Sequence, residues 1–446
     1  MLFHALPFAL FLASVLAGSW LLARWHGART WFLLAASLAF YATWSPAHVL
    51  LLLLLATTTW GVGRALARAQ QPRVRRAWLV LGVLQGVGML GFYKYGRGLL
   101  QPVGLSFITF QSISYVVDVY RGTLPARGAW REVALYLSFF PNVVAGPIAR
   151  AGELLPQFDA PPRLSSEEGA RALYRIAVGV VKKRVIADLL AANLVDRVFA
   201  TPANHSGPEV VLGVVGYTLQ LYYDFSAYSD VAIGCAALLG VRTRENFDLP
   251  YRAADLFDFW RRWHSSLGRW LRDYVYRPLG GSRVGGVRAV LNLWVTLLLG
   301  GLWHGAHVKF IAWSAVHAAA MTVQRWMGWP REGAARPARL LGWALTFTVV
   351  IQSRILFRAA DLGAAWEVFR RQWHLGGASP HLTPLVWGLL AAAFAGHFAP
   401  RSWGELPATR FAAWPVPARV AALVAAVLGV KALAGLEPQP FIYFQF

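Results

Sequence analysis

The sequence predicts an all-α polytopic membrane protein, a bundle of tilted transmembrane and re-entrant helices with about eleven crossings. Hydrophobic residues make up 57% of the 446 positions, and only 14% are charged, whereas a soluble domain carries about 25% charged residues. Apolar stretches fill nearly the whole chain, so it is far too long and too apolar to be a single anchor. Several stretches are too short for a straight crossing, which favours tilted, re-entrant or interfacial segments.

Twelve apolar stretches are the candidate membrane segments. They are residues 6–22, 31–55, 77–92, 99–119, 130–144, 170–192, 210–240, 289–302, 310–327, 340–357, 382–398 and 411–433. The first has no basic region before it, which is typical of a retained span rather than a cleaved signal peptide. Arg64, Arg68, Arg73, Arg75 and Arg76 form a run without an acidic residue. We expect this run to face the cytoplasm, because basic loops concentrate there.

The formal net charge is +22, from 43 basic and 21 acidic residues. In a chain this apolar, the excess of arginine indicates an anionic membrane leaflet as its counterpart rather than nucleic acid. The lipid bilayer is therefore a predicted partner and nucleic acid is not. The single cysteine, Cys235, excludes a disulfide within the chain and is interpreted as a small buried hydrophobic residue.

The stretch from residue 259 to 274 predicts one amphipathic helix. On a helical wheel its apolar face holds Trp260, Trp263, Leu267, Trp270, Leu271 and Tyr274. The opposite face holds Arg261, Arg262, Arg269, Arg272 and Asp273. His264 falls at the edge of the apolar face. Such a helix lies in the membrane interface or enters a protein-lined cavity from the cytoplasmic side.

His304 follows an apolar run and precedes a glycine, in residues 300–306. Ionisable groups at membrane depth are costly and tend to line cavities, and an imidazole can act as a general base near neutral pH. A neutral histidine hydrogen-bonded between helices fits the residues equally well. No Asp or Glu lies between Tyr274 and Arg331, so an orienting partner must come from elsewhere in the fold. His264 is the leading second polar group, although the residues alone favour an interfacial histidine there.

His304 and His307 form an HxxH pair with His317 nearby, but no carboxylate lies close in sequence. Metal sites need more converging ligands, so we predict no metal site and interpret the other histidines as structural.

A second polar cluster lies in apolar surroundings at Asp224, Ser226 and Asp230. Two aspartates at membrane depth indicate either a cavity or a paired network. A structural network with the arginines between residues 242 and 272 fits these residues at least as well as a catalytic role.

Seven strings resemble bacterial membrane-bound O-acyltransferases, in particular the branch of alginate O-acetyltransferases, which includes peptidoglycan O-acetyltransferases. The teichoic-acid D-alanyl transferase is a further relative. The strings are residues 104–115 (GLSFITFQSISY), 140–148 (FPNVVAGPI), 221–230 (LYYDFSAYSD), 245–251 (ENFDLPY), 259–267 (FWRRWHSSL), 270–274 (WLRDY) and 301–306 (GLWHGA). The resemblance runs from about residue 99 to the C-terminus.

The resemblance implies a bundle of helices around a central funnel. It divides the chain into N-terminal transmembrane helices, 1–98, and a catalytic core with C-terminal helices and an aromatic tail, 99–446. It also implies that His304 is catalytic and that His264 is a second active-site residue. We expect six residues to bind the donor or line the cavity. They are Arg261, Arg262, Arg272, Asn246, Trp303 and Asp224.

The expected function is membrane O-acyl transfer in the bacterial inner membrane. An acetyl or similar short acyl group would pass from a cytoplasmic thioester, acetyl-CoA or another, to an exported polysaccharide or a partner acceptor protein. No tightly bound cofactor is expected. The alternative is a transporter or flippase of a polysaccharide export system, although we detect no internal symmetry of the kind that transporters often show.

Three features qualify the resemblance. Little chain is left for a hydrolase-like domain outside the membrane, so we expect a separate extracytoplasmic acyltransferase or acceptor protein to complete delivery. Arg354 stands where relatives usually have apolar or aromatic residues. Tyr443, in the aromatic ending 440–446, is either an acyl relay, by analogy with a partner of the D-alanyl system, or an interfacial anchor.

Overall fold

The computed structural model describes residues 6–96, 101–329, 335–374, 376–433 and 441–442. These residues contain no β-strand, which confirms the predicted all-α class. In chain order the α-helices are α1 (Leu6–Leu21), α2 (His26–Ala42), α3 (Pro46–Arg68), α4 (Pro72–Tyr95), α5 (Leu105–Arg121), α6 (Trp130–Ser138), α7 (Phe140–Val143), α8 (Ala151–Asp159), α9 (Ser166–Val181), α10 (Asp188–Leu190), α11 (Asp196–Ala200), α12 (Gly207–Leu238), α13 (Leu256–Arg262), α14 (Ser265–Leu271), α15 (Gly286–His304), α16 (Val308–Met327), α17 (Arg336–Arg358), α18 (Leu362–Arg371), α19 (Pro384–Phe398), α20 (Ser402–Ala413) and α21 (Val416–Leu433).

Five of the described helices, α3, α4, α15, α17 and α21, are long and apolar enough to cross a membrane. Two shorter apolar helices are Pro7–Leu21 and Pro384–Phe398. The chain is therefore a multi-pass membrane protein. Some of the predicted crossings are divided: the stretch 130–144 forms α6 and α7, and the stretch 411–433 is interrupted between α20 and α21. The total of about eleven crossings stays a prediction.

Contacts divide the chain into two compact units, and the first comprises Met1–Ala177, Tyr228–Glu245 and Ala408–Arg419. Within it, α3 and α4 pack closely on α5. A Cβ atom on Gly63 would lie 2.7 Å from the Tyr115 ring, and one on Gly86 would lie 2.8 Å from Ile113. Membrane helices associate in this way, because small residues let their backbones approach.

Asp230 lies in this first unit and pairs with a cation that the sequence analysis did not assign to it. Arg175, on α9, donates from Nε to Asp230 Oδ1 at 2.9 Å and from Nη1 to Glu245 Oε1 at 2.6 Å. The observed partner, Arg175, lies outside the residues 242–272 from which the network was predicted. Cys235 is free and buried, as expected.

The second unit comprises Val178–Ala227, Asn246–Pro407 and Val420–Phe446. Its helices are interrupted by π-helical turns at Lys182–Ala187, Ala191–Val195 and Arg272–Tyr276. Such turns are rare and frequently occur at functional sites. The predicted functional boundary at residue 98 stays a prediction, since these units are defined by packing alone.

Candidate active site

The predicted amphipathic helix is broken at His264. Helix α13 ends at Arg262 and α14 begins at Ser265, and His264 between them has φ 44° and ψ 52°. The single-helix prediction was wrong because a neighbouring segment takes the hydrogen bonds. The amide of Asp248 donates to the carbonyl of Arg262 at 3.0 Å, and the amide of Ser265 donates to the carbonyl of Asn246 at 2.8 Å.

Asn246 fixes the orientation of the His264 ring. Its Oδ1 accepts hydrogen bonds from the Ser266 amide at 3.2 Å and from the Ser266 hydroxyl at 2.9 Å. His264 Nδ1 lies 3.1 Å from the same oxygen. Because a backbone amide can only donate, this Asn246 atom is the carbonyl oxygen, and Nδ1 must carry a proton. In the neutral imidazole, Nε2 then keeps its lone pair.

His304 is the last residue of α15 and is only 6% exposed. Its neighbours are aromatic rings: the ring centroids of Trp303, Phe357 and Trp313 lie 4.6, 4.9 and 5.2 Å from that of His304. Gly301 permits this arrangement, since a Cβ atom there would lie 2.6 Å from the carbonyl oxygen of Phe310 on α16. The imidazole therefore lies in an apolar environment formed by aromatic residues.

The two histidines singled out from the sequence both lie near one ring. The Trp303 centroid lies 6.2 Å from the His264 ring and 4.6 Å from the His304 ring. His264 also contacts Phe225, from the 221–230 string, at 4.7 Å. Residues distant in sequence thus converge on a single cluster, which we call the histidine cluster: His264, Trp303, His304, Trp313 and Phe357.

The three predicted donor-binding arginines lie in different surroundings. Arg261 and Arg262 both pair with Asp258, at 3.3 and 2.8 Å. Arg272 pairs with Asp273 at 3.0 Å and lines a pocket of about 470 Å³. This basic pocket is lined by Arg272, Tyr276, Arg277, Gly280, Gly281, Ser282 and Arg283. It brings three guanidinium groups together, two of which sequence reasoning missed.

Asp224 pairs with a lysine rather than with an arginine. Lys183 Nζ lies 2.6 Å from Asp224 Oδ1 and 2.9 Å from Asp188 Oδ1. This partner too lies outside the residues 242–272 from which the network was predicted. Asp188 Oδ2 also forms an ion pair with Arg184 Nη1 at 2.7 Å. Arg184 and Asp188 are four positions apart, a spacing that places both on one helix face. That spacing is the sequence signal for this one pair, and no such signal connects Lys183 with Asp224.

Asp224 also holds the C-terminal end of the described chain. Its Oδ2 accepts a hydrogen bond from the amide of Ile442 at 2.9 Å, and the Phe441 ring lies 5.4 Å from Phe225. Tyr443, the predicted relay or anchor, lies outside the described residues. Its role stays a prediction.

The remaining histidines of α16 have structural contacts. His307 caps the helix, its Nδ1 accepting from the Lys309 amide at 3.3 Å. His317 Nε2 lies 2.9 Å from the Ser353 hydroxyl. Among the residues that the structure covers, no group of three or more His, Cys, Asp or Glu side chains is placed to hold a metal ion.

Fold and site together define a polytopic helical membrane protein in which His264 and His304 are buried at one aromatic cluster. The family model for membrane-bound O-acyltransferases matches residues 130–332. A probable alginate O-acetylase from Pseudomonas aeruginosa is 38% identical over 370 residues, which cover 78% of this chain and 70% of that protein.

Two further relatives extend the comparison. A peptidoglycan O-acetyltransferase from Helicobacter pylori is 33% identical over 392 residues, covering 78% of this chain and 74% of the relative. A teichoic acid D-alanyltransferase from Bacillus subtilis is 29% identical over 241 residues, covering 51% and 59%. The chain belongs to the membrane-bound O-acyltransferase family. It is thus an acyltransferase that acts on oxygen, and the relatives identify it as an O-acetyltransferase.

Proposed function

We propose that this enzyme moves an acetyl or similar short acyl group from a cytoplasmic thioester across the bacterial inner membrane. The acceptor is a hydroxyl of an exported polysaccharide or of a partner protein. The observation that carries the proposal is the placement of His264 and His304 beside the same ring, that of Trp303. The relatives support a polymer acceptor, since their names refer to alginate, peptidoglycan and teichoic acid.

His304 is the general base in this mechanism. Its imidazole removes the proton of the acceptor hydroxyl, and the oxygen attacks the thioester carbonyl. The tetrahedral intermediate then expels the thiolate, which takes up a proton to leave as the thiol. His304 is only 6% exposed. Substrates therefore reach it through a gap between the surrounding aromatic rings, either one already present or one that opens when the rings move.

His264 positions a substrate by accepting a hydrogen bond. Asn246 holds the proton of His264 on Nδ1, so Nε2 of the neutral ring is an acceptor. This supports contact with a hydroxyl group rather than stabilisation of an oxyanion, which requires a donor. His264 and His304 therefore have different tasks in the same cluster.

The basic pocket is the proposed entry point for the phosphate groups of the donor. Arg272 and Arg277 share the single carboxylate of Asp273, and Arg283 adds a third positive charge to the lining. Guanidinium groups bind phosphate oxygens in pairs of charge-assisted hydrogen bonds. This surplus of positive charge suits acetyl-CoA or another phosphate-bearing thioester.

Delivery to the polymer involves a separate extracytoplasmic acyltransferase or acceptor protein in this proposal. Tyr443 is a second candidate acceptor, because it follows Ile442, which is bound by Asp224. Replacing Tyr443 by Phe removes the hydroxyl and keeps the ring. Undiminished polymer acetylation in that strain would exclude the relay and leave the interfacial anchor.

Release of thiol from acetyl-CoA tests the proposed function. The purified full-length protein, in vesicles, is incubated with acetyl-CoA and a hydroxyl acceptor, and free thiol and acetylated acceptor are measured. The proposal predicts equal amounts of both products. A transporter or flippase would move a substrate without releasing thiol, and that result would refute the enzymatic proposal.

A further inference from the structure

Arg354 is a buried cation that has no acidic partner among the residues that the structure describes. Its side chain, on α17, is 1% exposed, and none of its contacts in the described chain is an ion pair with a carboxylate. Removing a charged group from water is costly unless the charge is paired and its hydrogen bonds are satisfied. The protein therefore keeps a positive charge in its interior at a position where an anion would offset the cost.

The guanidinium group lies beside the histidine cluster. Arg354 Cζ is 4.4 Å from the centroid of the Trp263 ring, and Trp263 directly precedes His264. The Phe357 centroid lies 5.9 Å from Arg354 Cζ and 4.9 Å from the His304 ring. One aromatic ring thus separates the guanidinium group from His304.

The donors of Arg354 that lack a partner form one edge of the guanidinium group. The guanidinium group of Arg354 lies near the hydroxyl of Tyr251, which donates to the carbonyl of Thr218 at 2.7 Å. The Nε and Nη2 atoms of Arg354 are buried and have no hydrogen-bond partner within the described ranges. These two N–H groups are parallel, and they match the two oxygens of a carboxylate.

Another polar atom lies in the same electrostatic environment. The hydroxyl of Tyr217 is buried and has no partner among the residues with assigned positions. The charge of Arg354 acts on this hydroxyl. A carboxylate is the smallest planar anion that satisfies two parallel donors. A phosphate would bring additional oxygens, and often a second negative charge, into a site with one unpaired guanidinium group.

We propose that Arg354 binds a carboxylate of a substrate during acyl transfer, and so determines which donor or acceptor the enzyme accepts. This inference rests on the proposed function. The carboxylate has two possible sources. It is either the free end of a dicarboxylic acyl group on the thioester, or the carboxylate of a uronic acid residue in the acceptor. Both would place an anion beside the cluster that contains His304.

A purely structural Arg354, held by Trp263 and Tyr251 alone, predicts a different behaviour. Its replacement would alter the folding of the protein, but the enzyme would not distinguish charged from neutral substrates. The ratio of kcat/KM between two substrates that differ only in the carboxylate therefore separates the two roles. A folding defect alone does not change such a ratio, because it lowers both rates equally.

The experiment has two arms and uses the full-length protein. The first compares succinyl-CoA with acetyl-CoA at a fixed acceptor, and the second compares a uronic acid oligosaccharide with its carboxyl-reduced neutral counterpart, using acetyl-CoA. Each arm is run with the wild type, with Arg354→Met and with Arg358→Met. Arg358 is the matched control, because it lies one turn further on α17 and pairs with Asp196 at 2.8 Å.

We expect the wild type to prefer the carboxylate-bearing substrate about tenfold or more in one arm, which also identifies the source. Arg354→Met should lose this preference, and Arg358→Met should retain it. Two results would overturn the inference. The first is a wild type that shows no preference in either arm, which is decisive even if Arg354→Met does not fold. The second is a preference that persists in Arg354→Met. Absence of thiol release from every donor would instead refute the proposed function.

Discussion

At the scale of single residues, Asn246 determines what His264 can do. One side-chain oxygen accepts from the Ser266 amide, from the Ser266 hydroxyl and from His264 Nδ1. His264 is held with a positive φ of 44°, which costs an ordinary residue free energy and is kept where the surroundings impose it. The backbone and the amide of Asn246 thus impose both the position and the tautomer of one imidazole.

Replacing Asn246 by Ala should remove the hydrogen bond that orients the His264 ring. We expect kcat to fall on the order of a hundredfold, because a misplaced catalytic group has an effect of that size. The measurement is thiol release by the purified variant, with Asn204→Ala, at an exposed position, as the control. A folded Asn246→Ala protein with wild-type kcat would show that His264 needs no orienting group.

Individual roles were predicted from the sequence to different degrees. His304 was singled out by its apolar surroundings, and the structure places it among aromatic rings, while its catalytic role stays a prediction. The partner of Asp224 was mispredicted, because arginines of 242–272 pair with other carboxylates, as Arg262 does with Asp258 at 2.8 Å and Arg242 with Glu168 at 2.7 Å. Lys183 pairs with Asp224 from 41 positions away, and only folding brings such partners together.

At the scale of elements, the pair of helices α15 and α16 positions His304. A Cβ atom on Gly301 would lie 2.3 Å from the Ser314 hydroxyl and 2.6 Å from the Phe310 carbonyl oxygen. The carbonyl belongs to the backbone of α16 and cannot rotate away. The close approach of these two helices therefore depends on the absence of a side chain at residue 301.

Gly301→Ala should push α15 away from α16 and displace His304. We expect a destabilisation of about 1–3 kcal/mol and a loss of most of the transfer activity. Gly300→Ala is a matched control, since the nearest atom to its new Cβ is Leu271 Cδ1 at 3.6 Å. Thermal unfolding and thiol release are measured for both. Equal behaviour of the two variants would contradict the packing argument.

The element that sequence reasoning misjudged is the stretch from 259 to 274. Its hydrophobic periodicity is that of one helix, and the burial of Trp263, Leu267 and Trp270 agrees with the predicted apolar face. The break at His264 depends on hydrogen bonds from the segment 246–248. Periodicity reports which side is buried and contains no information about contacts that a distant segment makes with the backbone.

At the scale of the whole molecule, the basic run from Arg64 to Arg76 predicts the orientation in the membrane. The run spans the end of α3 and the start of α4, two helices long enough to cross. Cys235 is the only cysteine and is buried, so an introduced cysteine can be labelled against a low background. Gln71 and Ala47 are exposed at opposite ends of α3.

Gln71→Cys should react with a membrane-impermeant maleimide only after the membrane is opened, because the positive-inside bias places it in the cytoplasm. Ala47→Cys should react from outside in intact cells. The reverse labelling pattern would invert the predicted orientation, and labelling of both sites from one side would show that α3 does not cross.

The fold class was the property that the sequence predicted most directly. An apolar content of 57% and a charged content of 14% leave few alternatives to a helical membrane protein. The number of crossings was harder to predict, because hydropathy does not show where a helix is interrupted. The stretch 411–433, for example, has only two charged residues, Arg419 and Lys431, yet α20 ends at Ala413 and α21 begins at Val416.

Acyl transfer by His304→Ala tests the central claim most directly. The variant and a matched control, His307→Ala, are purified, and the transfer of acetyl from thioester to acceptor is measured at equal amounts of folded protein. We predict that His304→Ala loses activity by about a hundredfold or more, the usual contribution of a general base, while His307→Ala keeps it. Wild-type transfer by a folded His304→Ala protein would contradict the account.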